Sequence, residues 1–288
     1  MAKLNKVKKV AIVYRPDKKD ALKYSLQASE YLKGKKIKVF SHPEQTIKET
    51  PRLKKIDLKT IDLFLVLGGD GTYLEAVRLI GKNKTPILGV NLGSLGFLTE
   101  IRIENLFTAI DTALANKMEK RPRNLLQVIV KRGAKKILQQ DALNDIVIER
   151  GDMSQLINLT IELEDQLVSP LKADGVIVST PTGSTAYNLA AGGPVLFPYV
   201  SAFVVTPIAP HSLTTRPIIF PAKANLTFKL NHPKHRALLT IDGQSQLNLT
   251  AKDRVIINTS EVKHYVLREP NHNYFDLLRE KLKFGQRD

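Results

Sequence analysis

Residues Asp62–Arg78 read DLFLVLGGDGTYLEAVR. The apolar run Ile61–Leu67 is continuous rather than alternating, as expected of a strand covered on both faces, the usual state in a parallel sheet. It ends in Gly68-Gly69-Asp70-Gly71, and Thr72–Ile80 then has helical spacing that stops near Gly81. A buried strand, a glycine turn and a helix are the first half of a β-α-β unit. The N-terminus of such a helix presents unpaired N–H groups and a partial positive charge, which suit a phosphate. Glycine leaves no Cβ in the way of a ligand on that backbone. The plainer alternative is a tight turn with Asp70 as helix cap.

The same alternation extends on both sides. Lys9–Tyr14 reads as a short buried strand. Asp20 opens a helix carrying Leu22, Leu26 and Tyr31, with Gly34 at its C-terminal cap. Ile37 and Val39 alternate as in a strand, Ile87–Val90 is another short apolar run, and Ile103–Lys117 looks helical. This predicts an α/β domain, Rossmann-like, with a mostly parallel sheet. Beyond Pro122 the pattern changes. LLQVIV, DIVIER, LINLTIEL, GVIVST, SAFVV, ANLTFKL, ALLTIDG, RVIINT and YVL read as strands separated by Asp, Asn, Gly and Pro, which predicts a β-rich, sandwich-like domain. Ser184–Ala191 interrupts it as a helix. Tyr274, Leu278 and Leu282 line one face of a final amphipathic helix, expected to pack back on the first domain. The expected division is 1–120, completed by a tail 268–288, and 121–267.

Composition narrows the function classes. The chain has 288 residues and no cysteine, which excludes disulfides, thiol nucleophiles and thiolate metal sites. The Val10–Tyr14 run is too short for a signal-peptide core, and no stretch approaches the roughly 18 apolar residues of a membrane span, so a cytoplasmic protein without membrane contact is expected. Net charge is +16. The cations are spread along the chain, with no zinc-finger spacing or aromatic RNA-binding signature, which favours anionic small molecules over nucleic acid.

Several further stretches can carry chemistry. GVNLGSLGFLTE (Gly89–Glu100) is a second strand end rich in glycine; with the first it suits the carboxyl edge of a parallel sheet, where open α/β sheets bind ligands. DALNDIVIER opens a strand with Asn144-Asp145, which suits a diol or simply a turn. LKADGVIVSTPTGSTAYNLAAGGPVLFP (Leu171–Pro198) contains a run dense in small hydroxyls, Ser179–Thr185, able to wrap a polar ligand, with Tyr187 available to a flat ring. TPIAPHSLTTRPIIFP contains His211 and Arg216, the latter suited to a carboxylate or phosphate. In LLTIDGQSQLNL, Asp242-Gly243 between alternating strands is a hairpin signal, compatible with a ligand contact from Asp242. The dinucleotide fingerprint G-x-G-x-x-G, the P-loop and the protein-kinase H-R-D and D-F-G elements are missing.

In this order, GGDG, NLGSLGFLTE, Asn-Asp, D-G-x-x-x-S-T-P-T-G-S-T-A-Y-N-x-x-A-G-G-P, P-H-S-L-x-x-R-P and D-G-Q, the chain closely resembles the NAD kinase family from about Val10 onward. The Ser179–Pro194 stretch is the most specific part; GGDG is shared with phosphofructokinases and diacylglycerol-type lipid kinases. The resemblance implies an α/β domain and a β-rich domain with the active site between them. It implies transfer of the terminal phosphoryl group of ATP, or of inorganic polyphosphate, to the 2′-hydroxyl of the adenosine ribose of NAD. It also implies a divalent cation, usually Mg²⁺, held mainly through the ATP phosphates, and assembly as a homodimer or homotetramer.

Residue by residue, Asp70 matches the family's catalytic aspartate, with Gly71 beside it near the substrate. Phe97 and Leu98 fall where the family contacts adenine and ribose. Asn144 and Asp145 match an Asn-acidic pair that holds a ribose; the acidic position is often glutamate in relatives, one methylene longer. Asp174 matches an aspartate near the nicotinamide end. Thr182, Thr185, Ala186 and Tyr187 match the loop that grips the dinucleotide, Asp242 matches the D-G-Q aspartate, and Lys172 stands where relatives often place a basic residue. Two rivals compete with this reading. A lipid kinase would need an apolar cleft, which the hydroxyl-rich loop opposes. A non-catalytic nucleotide-sensing or nucleic-acid module would bind with steep salt dependence and form no product.

Overall fold

The structure, a computed structural model, describes residues 6–151, 155–232, 236–270 and 273–283. The chain divides into two compact units, 1–122 with 264–288, and 123–263.

The first unit contains β1 (Lys9–Tyr14), α1 (Lys19–Gly34), β2 (Lys38–Ser41), β3 (Leu63–Leu67), α2 (Asp70–Ile80), β4 (Ile87–Asn91), β5 (Ile101–Arg102) and α3 (Leu106–Leu114). The sheet runs β2-β1-β3-β4 with every pair parallel, and β5 adds a short parallel contact to β4. All five residues of β3 are buried. Leu63, Leu65 and Leu67 share a core with α1 and α3, whereas α2 packs on β3 and β1. Helices on both faces explain the unbroken apolar run. Asp62, just ahead of β3, accepts the backbone N–H groups of Lys8 and Lys9 at 2.8 and 2.9 Å and so fixes where β1 begins.

Helix α1 corrects three local expectations. Its buried face is Ala21, Ser25, Ala28, Ser29 and Leu32, while Leu22 is exposed. Small residues let the helix lie close on the sheet; of the expected face, Leu26 and Tyr31 do pack against the same core and only Leu22 points away. Its N-cap is Lys18 without a side-chain cap, leaving Asp20 in the first turn. At its C-terminal end the left-handed position is taken by Lys36, not Gly34.

The second unit begins within β6 (Glu119–Arg132) and continues with β7 (Lys135–Ala142), β8 (Asp145–Arg150), β9 (Ile157–Leu163), β10 (Gln166–Ala173) and β11 (Gly175–Ser179). The short helix α4 (Tyr187–Ala190) precedes β12 (Ala202–Ile208), β13 (Ile218–Pro221), β14 (Leu226–Leu230), β15 (Arg236–Ile241), β16 (Ser245–Thr250) and β17 (Asp253–Arg268). One antiparallel sheet is ordered β13-β12-β11-β8-β15-β16. Facing it, β10, β9, β14 and the first part of β17 are also antiparallel. Inward residues of both, such as Ile146, Val178 and Leu239 with Leu159, Leu226 and Ile257, form one core, the mark of a sandwich. Pro122 lies inside β6 rather than in a break, and RVIINT and YVL form one strand, β17. The strands β7 and β10 were not foreseen, since exposed polar positions interrupt their apolar pattern, nor was β13, only four residues long (IIFP), preceded by Pro217 and ending in Pro221.

The end of β17, His264–Arg268, returns to the first unit, where Val266 pairs in parallel with Ile87 of β4. Helix α5 (Tyr274–Leu282) belongs to that unit and buries Leu277 and Leu278. Because Ala28 is fully buried in α1, Ala28→Leu should overpack the helix–sheet contact and destabilise the protein by about 1–3 kcal/mol, measured as a lower urea midpoint with unchanged slope.

Candidate functional site

In the first unit the site is built at the carboxyl ends of β3 and β4. Gly69 is the N-cap of α2 and Asp70 its first residue. The Asp70 carboxylate does not cap its own helix, so the plainer reading fails. Oδ2 accepts the Phe97 amide at 3.0 Å, and Oδ1 accepts the Leu98 and Thr99 amides at 3.0 and 3.2 Å and the Thr99 hydroxyl at 3.2 Å. The turn comes this close because residue 96 is glycine: a Cβ there would stand 2.1 Å from Asp70 Oδ1. Asn91, at the end of β4, donates to the Thr99 hydroxyl at 2.9 Å and accepts the Gly93 amide at 2.7 Å. Leu98 is buried and Phe97 half-buried. Gly71 is exposed, and a Cβ placed on Gly69 or Gly71 would meet nothing within 4 Å, whereas one on Gly68 would stand 2.5 Å from the Thr72 hydroxyl.

Sequence reasoning missed a second layer of this cluster. The Arg268 guanidinium, buried at the end of β17, donates to the Phe97 carbonyl at 3.0 Å and pairs with the Glu100 carboxylate. Tyr73, fully buried in α2, places its hydroxyl 2.7 Å from His264 Nε2. Arg268 and His264 stand 171 and 191 residues from their partners, so no local pattern could reveal them.

In the second unit the Asp242-Gly243 turn joins β15 to β16, with φ of 49° and 67°, the left-handed pair that a tight hairpin needs. The Asp242 carboxylate accepts three consecutive amides: Leu143 at 2.8 Å, Asn144 at 2.7 Å and Asp145 at 3.1 Å. It acts on the Asn144-Asp145 pair through the backbone. The hydroxyl-rich loop grips the same segment. The Thr180 amide donates to the Asn144 carbonyl at 2.9 Å and its hydroxyl to the Leu143 carbonyl at 2.6 Å. Gly183 lies so near that a Cβ would be 2.2 Å from the Asn144 oxygen. Behind the loop, the fully buried Asn188 donates to the carbonyls of Ser184 and Pro194, both at 3.0 Å, and accepts the Thr206 hydroxyl at 2.6 Å. Neither residue was a candidate from sequence.

The other candidates fall around this frame. Thr182 and Thr185 are half-buried, and Ala186 and Tyr187 are exposed. Asp174, in the bend just ahead of β11, pairs with Arg150 at 3.1 Å. Burial raises the Tyr187 hydroxyl's pKa, with help from the charges of Glu149, Asp145 and Asp174, which places these groups near one another. Lys172 is exposed on β10, and among the described residues its ammonium makes no hydrogen bond or ion pair. Arg216 donates to the carbonyls of Leu213 and Thr215 at 2.8 and 2.9 Å; it shapes its own loop, where the sequence suggested a carboxylate or phosphate partner.

Asp145 and Asp242 form a coupled acidic pair. Burial raises both, and the three amide donors oppose the rise at Asp242 without cancelling it, while the Asp242 charge acts on Asp145. Asp145, buried and facing that charge, is pushed up to about 7 from 3.8. Its folded-state pKa lies above its unfolded value, so the stabilisation it contributes is complete below pH 3.8 and is lost as pH rises toward about 7. Asp145→Asn should remove that dependence. Thermal melts from pH 4 to 8 should show the parent losing roughly 2–4 kcal/mol that the variant keeps.

Residues 10–118 match the family model described as ATP-NAD kinase N-terminal domain, and residues 143–269 match ATP-NAD kinase C-terminal domain. The chain is 48% identical to a protein named NAD kinase from Bdellovibrio bacteriovorus, over 97% of this chain and 93% of that one. It is 38% identical to one from Syntrophobacter fumaroxidans, over 96% and 99%. Among solved structures, yeast NADH kinase complexed with NADH is similar at a TM-score of 0.90 and 26% identity, covering 99% of this chain and 90% of that one. An NAD kinase from Archaeoglobus fulgidus in complex with ATP is similar at 0.76 and 25%, covering 96% and 98%.

Proposed function

The chain belongs to the ATP-NAD kinase family and is an enzyme of that kind, phosphorylating NAD with ATP, and from that premise we propose how its residues carry the reaction. Asp70 is the general base. It takes the proton of the 2′-hydroxyl on the adenosine ribose of NAD as that oxygen attacks the terminal phosphorus of ATP, giving NADP and ADP. A ribose hydroxyl is a poor nucleophile near neutral pH, and a positioned carboxylate supplies about 10²–10⁴-fold. The rest of the barrier is lowered by positioning and cancellation of phosphate charge.

The observation that carries this reading is the difference among the three glycines around Asp70. Gly68 is required by packing, whereas the backbone at Gly69 and Gly71 has ordinary φ and open space. The fold does not demand glycine at these two positions; a phosphate lying on the start of α2 does. Phe97 and Leu98 present the turn beside Asp70 to the adenosine. Asn144 and Asp145 take a ribose diol. Asp174 serves the nicotinamide end. Thr182, Thr185, Ala186 and Tyr187 wrap the dinucleotide, Lys172 offers a cation to its phosphates, and Asp242 fixes the diol-binding pair from behind.

Family members are generally dependent on a divalent cation. No group of three His, Cys, Asp or Glu among the described residues could cage a metal, so the donor set fits Mg²⁺ arriving on the phosphates of ATP, as Mg²⁺ commonly does. When bound there it neutralises phosphate charge. We assign the enzyme to the cytoplasm, which holds both substrates; no helix among the described residues is long and apolar enough to cross a membrane. We further propose that the chain assembles as a homodimer or homotetramer, the assembly that its family resemblance implies.

The test is turnover of NAD, ATP and Mg²⁺ by purified protein, with NADP detected by a dehydrogenase that ignores NAD. NADP should form with the parent, while Asp70→Asn should lose about 10²–10⁴-fold in kcat and still bind NAD; near-parental turnover would sink the role of Asp70. Gly71→Ala should leave the fold intact or firmer, by up to about 1 kcal/mol, because alanine suits a helix better than glycine. The same variant should lose at least about tenfold in kcat/KM for ATP if a phosphate approaches that backbone.

A further inference from the structure

The turn that engages Asp70 is held from two sides. Its amides point to Asp70, but the carbonyl of Phe97 points the other way and accepts a hydrogen bond from Arg268 Nη2 at 3.0 Å. Nη1 of the same guanidinium pairs with Glu100, the residue after Thr99, and the two side chains are only 7% and 8% exposed. One planar cation therefore grips both ends of the four-residue segment 97–100. We infer that Arg268 is a positioning residue for the phosphoryl transfer: it fixes the Phe97–Glu100 turn, and the turn in turn aims the Asp70 carboxylate.

The geometry favours this over a merely structural ion pair. A buried pair is a weak source of stability, because desolvation offsets most of the attraction. The pair here coincides with a carbonyl whose own amide is a donor to Asp70, so a shift of Phe97 moves both ends together. Arginine suits the task because its rigid fork serves two acceptors at once. Burial pulls the Arg268 guanidinium down to about 10, and the charges of Tyr73, Asp70 and Tyr274 oppose that shift, which places the cation within electrostatic reach of the Asp70 carboxylate. Arg268 comes from the last part of β17, beside β4, so the catalytic turn depends on a strand far from it in sequence.

The inference rests on Asp70 being the base, and the experiment separates the two. Arg268→Met alone strands Glu100 as a buried charge and can fail to fold, so the decisive variant is Arg268→Met/Glu100→Met, which removes both charges. In the full-length enzyme, hydrogen–deuterium exchange at the amides of Phe97, Leu98 and Thr99 should speed up at least about tenfold. In the same variant kcat should fall about 10–100-fold, with KM for ATP changed by less than about threefold. Arg268→Lys should recover only part of kcat, since an ammonium lacks the fork. Unchanged exchange in the double variant would show that no such grip exists. Faster exchange with parental kcat would leave Arg268 a structural residue and overturn its role in the reaction. Failure of the Asp70 reading itself shows elsewhere, as near-parental turnover of Asp70→Asn, and leaves the exchange measurement intact.

Discussion

A carboxylate that leaves bulk water must find donors, and the backbone amides of a tight turn are the densest supply a chain can offer. Asp70 meets that constraint with three consecutive amides and a hydroxyl, all from residues 97–99. Much of the first unit follows from it. The turn must come close, so residue 96 lacks a side chain; the turn must be supported, so Asn91 and Arg268 bond to it from β4 and β17. Two strand ends that are merely neighbours in a parallel sheet become one rigid feature at its carboxyl edge, the place where such sheets bind ligands.

The second unit repeats the device with different parts. Asp242 also precedes a glycine at a turn and also accepts three consecutive amides, those of residues 143–145. In both cases an aspartate at a turn reaches across to another segment and orders its backbone. The outcomes differ. Asp70 is half-buried at the start of a helix and keeps access to solvent. Asp242 is committed to the backbone, and burial, with the Asp242 charge added, raises the neighbouring Asp145. One carboxylate thus stays partly open to solvent, while the other is spent on ordering backbone and on its acidic neighbour.

What was legible in the sequence follows from the range of each interaction. The β3–α2 transition, the parallel α/β unit and the hairpin at Asp242-Gly243 are local patterns, written in runs of apolar residues and in turn chemistry. The β-rich character of the second unit was legible too. Strands whose exposed faces are polar, such as β7 and β10, were not, and neither was the part of the buried face of α1 made of small residues, Ala21, Ser25, Ala28 and Ser29. The candidate residues were legible as motifs, but the contacts that join them were not. Nothing near Phe97 announces Arg268, and nothing near Asn144 announces that its backbone is held by a hairpin almost a hundred residues on.

That the first unit contains residues 264–288 also governs how the protein is made. A chain emerging from the ribosome releases β1 to α3 early, but the last strand of that sheet, with Arg268 and α5, emerges only after the whole second unit. At about 5–20 residues per second this leaves an interval on the order of ten seconds. During it, β4 has an open edge and the turn at Phe97 lacks its cation. The second unit, whose pairing partners all lie within one continuous stretch, can close first. Nascent chains would then pass through a state with one finished unit and one waiting, its exposed sheet edge a natural target for chaperones.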